Sequence, residues 1–398
     1  MKIAIVVQGR FHAFDLGKAL LRRGHDVALF TNYPKWAVKR FGFPEQRVRS
    51  FWMHGVVSKG AFRMCQSASV RPERWLNPIF GRWAARELSK ERWDVVHSWS
   101  GISEEIAANR NRTHLQLIMR GSAHIRTQDL ILKQEESRTG SRLDRPNGWL
   151  QQREQREYNL ADRVVVLSSF ARDSFIAEGV DPQRTTLLLL GSDTKTFRPA
   201  ADVIDARCRR ILSGEPLRTL FVGTVCLRKG LWDIAAIARR LKQRRFLFRL
   251  VGNILPEVKR VVPELSELVE LVPRQQQSKL PHWYSSSDLF LFPTLEEGFP
   301  VVLTQAHANA LPILTTPNGS GPDLIRHGES GWVLPIRDPD AFVERLQWCD
   351  ANRPALAEMV QRLYNSTRVR TWDDVARDFE AVCANISLQR PDQTVANG

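Results

Sequence analysis

Leu289-Phe-Leu-Phe-Pro-Thr-Leu-Glu-Glu-Gly-Phe-Pro-Val-Val-Leu-Thr-Gln-Ala-His-Ala-Asn-Ala-Leu-Pro-Ile-Leu-Thr315 reads as a strand, a loop, a helix and a second strand. The apolar run Leu289–Phe292 suits a strand buried on both faces, and Pro293 ends it. A helix start near Phe299 or Pro300 follows, since proline tolerates a first turn, where its missing N–H is not needed. Such a start leaves backbone N–H groups and a partial positive charge that attract phosphate. Gly298 is expected to let the backbone approach a ligand closely, and Glu297 to accept hydrogens from hydroxyl groups at the mouth of the site. Gln305 lies about two turns further along the helix.

The same alternation extends in both directions. Ile3–Val7, Val27–Phe30, Asp94–His97, Leu115–Met119, Arg163–Leu167 and Thr186–Leu190 are short apolar runs separated by polar, helix-like segments, of which Phe14–Arg23 is the clearest. Leu217–Val222, Phe246–Val251, Glu270–Val272, Ile313–Thr315 and Trp332–Pro335 repeat the architecture without repeating the sequence, and Leu231–Leu241 has helical spacing. Buried runs alternating with helices specify α/β domains with parallel sheets. The chain has 398 residues, enough for two. The expected division is a first doubly wound, Rossmann-like domain over 1–193 and a second over 194–371. A helix over 372–389 and a disordered tail over 390–398 follow. Ligands of such folds sit in the cleft at the carboxyl ends of the strands.

Composition narrows the class. No apolar run approaches the roughly 20 residues that span a bilayer. The five cysteines, Cys65, Cys208, Cys226, Cys349 and Cys383, have no metal-ligand spacing and read as reduced thiols of a cytoplasmic protein. The net charge is +15, and it is uneven. Residues 1–193 hold 31 Lys and Arg against 20 Asp and Glu, whereas residues 194–398 hold 27 against 23. The basic first half suits an anionic substrate or an anionic membrane surface. Nucleic acid is not expected, because no reader motif accompanies the charge.

Leu220-Phe-Val-Gly223, then Thr224-Val-Cys-Leu-Arg-Lys-Gly230, then a helix from Leu231, forms a second phosphate signal. The planar fork of Arg228 and the point charge of Lys229 suit a diphosphate. Together the cationic loop and the Glu297 loop resemble the nucleotide-sugar site of the retaining glycosyltransferases of family 4, which have the GT-B fold. The family's pattern is Glu-Gly-Phe-Gly, with a second Glu eight residues after the first. Glu297-Gly298-Phe299-Pro300 matches the first part, Gln305 replaces the second Glu, and Ala310-Leu311-Pro312-Ile313 matches a later Gly-Leu-Pro-Val-like step.

The resemblance implies two Rossmann-like domains facing an interdomain cleft, and a terminal helix that crosses back to the first. It implies a donor site of Gly223, Thr224, Arg228, Lys229, Pro273, Arg274, Glu297, Gly298, Phe299, Pro300, Val301, Val302, Leu303 and Gln305. Glu297 would hold the sugar hydroxyls, Lys229 and Arg228 the diphosphate, backbone groups around Val272–Gln275 the base, and Gln305 the ribose. The family often has an arginine where Thr224 stands. Gln8-Gly9-Arg10-Phe11-His12, His97-Ser-Trp-Ser100 and Arg120-Gly-Ser-Ala-His124 resemble the family's acceptor-side segments. Gly9, Arg10, His12, His97, Arg120, Ser122 and His124 are therefore the acceptor candidates, with His124 the first choice for a catalytic or orienting role.

The implied reaction is transfer from a UDP- or GDP-linked sugar to a glycan or lipid-linked hydroxyl. No cofactor or metal is expected, since Arg228, Lys229 and a helix start already neutralise the phosphate and no Asp-x-Asp motif has a suitable context. Competing readings are a sugar-nucleotide epimerase or phosphorylase on the same fold, and a silent subunit suggested by Gln305. A dehydrogenase lacks its glycine fingerprint at Gln8-Gly9-Arg10. Finally, Phe62–Trp93 interleaves aromatic and basic residues, a pattern of either a helix at the inner face of an anionic membrane or a helix packed by its aromatic side.

Overall fold

The computed structural model describes residues 1–65, 71–109, 112–242, 245–366 and 368–389, so the expected tail over 390–398 lies outside the described residues. Thirteen strands run through them: β1 Lys2–Val7, β2 Asp26–Thr31, β3 Val48–Ser50, β4 Val95–Trp99, β5 Leu115–Arg120, β6 Arg163–Val166, β7 Thr185–Leu187, β8 Leu217–Val222, β9 Phe246–Val251, β10 Glu270–Val272, β11 Leu289–Phe292, β12 Ile313–Thr315 and β13 Gly331–Val333. Each strand expected from an apolar run is present, with ends displaced by up to three residues. β3 was not expected, because Val48-Arg-Ser50 contains a single apolar residue.

The strands form two parallel sheets, ordered β3-β2-β1-β4-β5-β6-β7 and β10-β9-β8-β11-β12-β13. In each the winding direction reverses once, between β1 and β4 and between β8 and β11, and such switch points open the crevice where ligands bind. Most of the segments singled out above leave β1, β4, β5, β8 or β11 and so begin at or beside a switch point, whereas Val272–Gln275 leaves the edge strand β10.

Each sheet has its own core. Ile3–Val7, Val95, Val96, Leu115 and Leu117 anchor the first. Leu217, Leu220, Leu289–Phe292, Ile313 and Leu314 anchor the second, which also takes in Phe197, Ile204 and Ile211 from the segment leading into it. The helix Trp372–Gln389 inserts Val375, Ala376, Phe379, Cys383 and Ile386 into the first core although it follows the second in sequence. On the far side of the cleft, buried Asp233 of the second domain pairs with Arg138 of the first, and Arg337 reaches Glu135 at 3.1 Å and the Ile131 carbonyl at 2.8 Å. Removing one partner of a buried pair of this kind typically costs about 3–5 kcal/mol.

Among the described residues no helix is long and apolar enough to cross a membrane. The aromatic-basic stretch Phe62–Trp93 divides. Phe80 and Trp93 are core residues, while Phe62 and Trp75 are exposed.

Candidate active site in the interdomain cleft

The cleft between the two sheets has a volume of about 2180 Å³. Its second-domain wall is built by two loops sewn together. Leaving β8, Gly223 and Thr224 reach the wall, and a short helical turn, Leu227–Lys229, presents Arg228 on it, while Lys229 does not itself line the cleft and meets it through Glu297. The Arg228 carbonyl accepts from Leu295 N–H at 2.9 Å, tying the cationic loop to the acidic loop after β11. Gly230 sits where they cross, with φ +76° and a site for Cβ only 1.9 Å from the Pro293 carbonyl oxygen, so no side chain fits.

The acidic loop carries two carboxylates with different work. Glu297 lies 2.8 Å from Arg228 Nη1 and 2.7 Å from Lys229 Nζ. Both are close contacts between opposite charges. Burial opposes ionisation of Glu297, but Arg228 and then Lys229 outweigh it and hold its carboxyl below the usual carboxylate range. The Arg228 guanidinium, despite its burial, is held protonated by Glu297 and Glu296. Lys229 also lies 5.1 Å above the Phe292 ring.

Glu296 was not among the expected site residues. It is fully buried and faces the other domain, accepting hydrogen bonds from the Ser122 hydroxyl, from Ala123 N–H at 3.0 Å and from Gln128 Nε2 at 3.0 Å. Its own carbonyl accepts from Arg228 at 2.7 Å. A pair of acidic residues before a glycine was the only signal of it in the sequence, and which of the two meets the cations is decided by the contacts of the other with the first domain.

Two neighbours require correction with it. Gly298 was expected to admit a ligand. The close approach is instead to the first domain, where a Cβ would lie 2.2 Å from the Gly121 carbonyl oxygen and 3.0 Å from Ser122 N. Phe299 borders the cleft, but its buried ring packs with the core of the first domain.

The helix Val301–Ala308 starts at Pro300, as expected. Leu303 N–H donates to the Pro300 carbonyl at 2.9 Å and Leu303 is fully buried, so the open N–H groups are those of Val301 and Val302 rather than Leu303. Val301, Val302 and Gln305 all reach the cleft. Gln305 Oε1 accepts from the Tyr284 hydroxyl at 2.9 Å, which leaves the amide nitrogen as its donor. Tyr284 is a supporting residue that no motif in the sequence indicates. After β10, Arg274 and Gln275 line the wall; Pro273 does not, and its carbonyl accepts from Gln275.

The first-domain wall keeps some candidates and withdraws others. Arg10 is on it, 4.1 Å over the Phe41 ring and 3.7 Å from Asp15. His12 is on it, between Trp99 and Trp372, with its pKa lowered to about 4 by burial. Phe11, 64% exposed with φ +41°, stands beside them. Arg120 and Ser122 border the cleft but are engaged: Arg120 donates to Gln128 (2.6 Å), Glu154 (3.1 Å) and the Ala123 carbonyl (3.1 Å). Gly9 makes the turn behind the wall, donating to Asn32 Oδ1 at 2.8 Å.

His97 and His124 are not on the wall. His97 is fully buried against Trp99 and Phe379, and its pKa falls to about 3 through burial and then His12. His124 caps the helix Ile125–Thr139, its Nδ1 accepting from Arg126 N–H, and its ring packs edge-on to Phe175 at 4.9 Å. Its pKa is lowered to about 4 by burial and then by Arg120 and Arg126. Sequence spacing placed both histidines near strand ends but carried no information on which way the rings turn.

These imidazoles make stability depend on pH. The unfolded chain takes up their protons near pH 6.5, the native state only near 4 or below. Their contribution is therefore present above about pH 6.5 and lost as pH falls toward 4, by about 1.4 kcal/mol per pH unit for each proton. Glu157, pushed up to about 8 by burial and Glu154, acts in the opposite sense and favours the native state as pH falls below 8. We expect His124→Asn, which keeps a capping acceptor, to flatten the acid limb of urea-unfolding midpoints by about one proton. An unchanged slope would mean that His124 is already protonated in the native protein.

Comparisons with known proteins agree with this architecture. The family described as Glycosyltransferase Family 4 matches residues 10–196, and that described as Glycosyl transferases group 1 matches residues 216–352. The amylovoran biosynthesis glycosyltransferase AmsK of Erwinia amylovora is 28% identical over 191 residues, 45% of this chain and 45% of AmsK, so the chain spans about half the length of that relative. Sucrose-phosphate synthase from Thermosynechococcus elongatus has a similar fold, with TM-score 0.69 at 19% identity over 98% of this chain and 100% of that one. So does Anabaena HepE in complex with UDP and glucose, with TM-score 0.67 at 13% identity over 97% of this chain and 100% of that one.

Proposed function

Because the chain belongs to the family 4 glycosyltransferases of the GT-B fold, we propose that it is a retaining enzyme moving a hexosyl group from a UDP- or GDP-linked sugar to a hydroxyl of a glycan or lipid-linked acceptor, in the synthesis of a cell-surface polysaccharide or glycolipid. The observation that carries this reading is the meeting of Arg228, Lys229 and Glu297 beside the open N–H groups of Val301 and Val302. Two cations and a helix start suit a diphosphate, and a carboxylate between them suits the hydroxyls of the sugar attached to it. The biosynthetic context of AmsK and the UDP and glucose held by HepE support the choice of substrate class.

In the proposed reaction the bond between the anomeric carbon and the diphosphate oxygen breaks while the bond to the acceptor oxygen forms on the same face. The departing phosphate oxygen takes the acceptor proton. Arg228, Lys229 and the two N–H groups stabilise the charge growing on the leaving group. Glu297 exchanges its cation contacts for sugar hydroxyls and fixes the anomeric carbon. Gln305 donates its amide hydrogens to ribose oxygens, where a glutamate would accept. Arg274 and the backbone of Val272–Gln275 border the base.

Since protein groups supply the positive charge, transfer is expected to proceed at an unchanged rate in excess chelator. The test is a panel of nucleotide sugars incubated with the protein and an acceptor mixture in chelator, with release of nucleoside diphosphate and the anomeric configuration of the product read by NMR. An inverted anomer, or abolition by chelator, would overturn the mechanism. Conversion of donor without any acceptor would point to an epimerase.

A further inference from the structure

We infer that the outer face of the helix Trp52–Cys65, with the exposed side of the helix Glu73–Leu88, is a docking surface for an anionic lipid bilayer. The inference does not rest on the transfer chemistry and goes beyond it. The first of these helices is inverted relative to an ordinary surface helix. Its two uncharged polar side chains turn inward, while Lys59 and Arg63 stay exposed: His54 and Ser58 are buried, with His54 Nε2 at 3.0 Å from the Leu76 carbonyl and Nδ1 at 3.4 Å from Ser58 Oγ. Its apolar residues turn outward. Trp52, Met53, Val56 and Val57 are 54–62% exposed, and they form one stripe at helical spacing that Met64 continues. Contiguous exposed apolar patches on soluble proteins mark places that something covers.

The surroundings identify the cover. Residues 52–92 hold eight Lys and Arg against three Glu. Each Glu is already engaged: Glu73 accepts from Asn147, Glu87 from Lys90, and Glu91 from Lys2 and Arg49. The face is therefore apolar with an uncompensated basic border that includes Lys59, Arg63 and Arg74. Beside it, Phe51, Ile79 and Trp83 floor a groove of about 340 Å³ bordered by Arg82, Arg86 and Glu87, the last already paired with Lys90. Apolar side chains on a convex helix, flanked by arginines and placed beside a basic-rimmed groove, suit acyl chains below anionic headgroups. A protein partner of complementary shape would need no such charge, and nucleic acid would need no such apolar stripe.

The face is joined to the cleft. Asn32 receives the Gly9 N–H of the acceptor-side turn, and its carbonyl lies so near Gly55 of the exposed helix that a Cβ there would stand 2.3 Å away. A bilayer on this face adjoins the wall that carries Arg10, Phe11 and His12.

The test is flotation of the full chain with vesicles of phosphatidylcholine alone or with about 30% phosphatidylglycerol. We expect at least about 10-fold stronger binding to the anionic vesicles, weakened by added salt. Val56→Asp with Val57→Asp, and separately Arg82→Glu with Arg86→Glu, should each lower it about 10-fold or more. These side chains are exposed, so the thermal midpoint should hold, and circular dichroism would confirm that each variant folds. Equal binding to neutral and anionic vesicles, or wild-type binding by the Val56/Val57 variant, would overturn the inference. So would absence of vesicle binding together with self-association that this variant abolishes, which would assign the face to a second copy of the chain.

Discussion

Replacing Glu297 by Gln is expected to separate binding from transfer. Turnover should fall about 10²–10³-fold, while a nucleoside diphosphate binds as tightly as before or up to about 10-fold more tightly. The reason is geometric. Glu297 lies within 2.8 Å of both cations that the diphosphate needs, so its carboxylate competes with the phosphate oxygens for the same charge. An amide of the same shape removes that competition and also replaces one of the two accepting oxygens that orient the sugar by an N–H donor. Lys229→Ala provides the contrast, because it should weaken diphosphate binding and turnover together. Calorimetry with UDP and GDP beside steady-state kinetics reads both. Loss of diphosphate affinity in the Glu297→Gln variant would show that this carboxylate organises Arg228 and Lys229 instead of competing for them.

The second large effect is expected at Gly298. Adding one methyl group there places a carbon 2.2 Å from the Gly121 carbonyl oxygen, well inside van der Waals contact. Neither side is a movable side-chain end, since both are backbone. The contact therefore opens only if the domains separate at this point, which also stretches Glu296 away from Ser122 and Ala123 and draws Phe299 out of the first core. Gly298→Ala should lower kcat/KM at least about 100-fold, because a misplacement near 1 Å between reacting groups is sufficient for that. Overpacking of this kind also costs about 1–3 kcal/mol of stability, visible as a lower thermal midpoint. Glu296→Ala should show a milder version of the same behaviour. Activity near wild type in Gly298→Ala would mean that transfer takes place in a more open arrangement of the two domains.

These two variants mark the boundary of what was legible. Strand β11, the glycine and proline that shape the following turn, and the cationic loop after β8 were readable because each depends on neighbours within a few residues. Alternating apolar runs report a buried parallel sheet whatever the rest of the chain does. The same locality explains the misses. Val48-Arg-Ser50 is a strand only because β2 lies beside it. His124 follows its strand as expected, whereas His97, expected at a strand end, lies in the middle of β4; both rings turn into the protein, and only the packing of Phe379 and Phe175 decides that. The helix Trp52–Cys65 shows which of its faces is outside only once His54 has found the Leu76 carbonyl.

By itself, then, the amino-acid order determined two parallel sheets and the loops that leave their strands, because those follow from local periodicity and backbone chemistry. Only the tertiary structure decided that Glu297 faces the two cations while Glu296 fastens the other domain. It also decided that Gly298 and Phe299 serve the contact between domains. Glu296 and Ser122 are separated by more than 170 residues of chain. No local pattern encodes a contact between two domains that each fold around their own core; it exists only when both surfaces are complete and brought together.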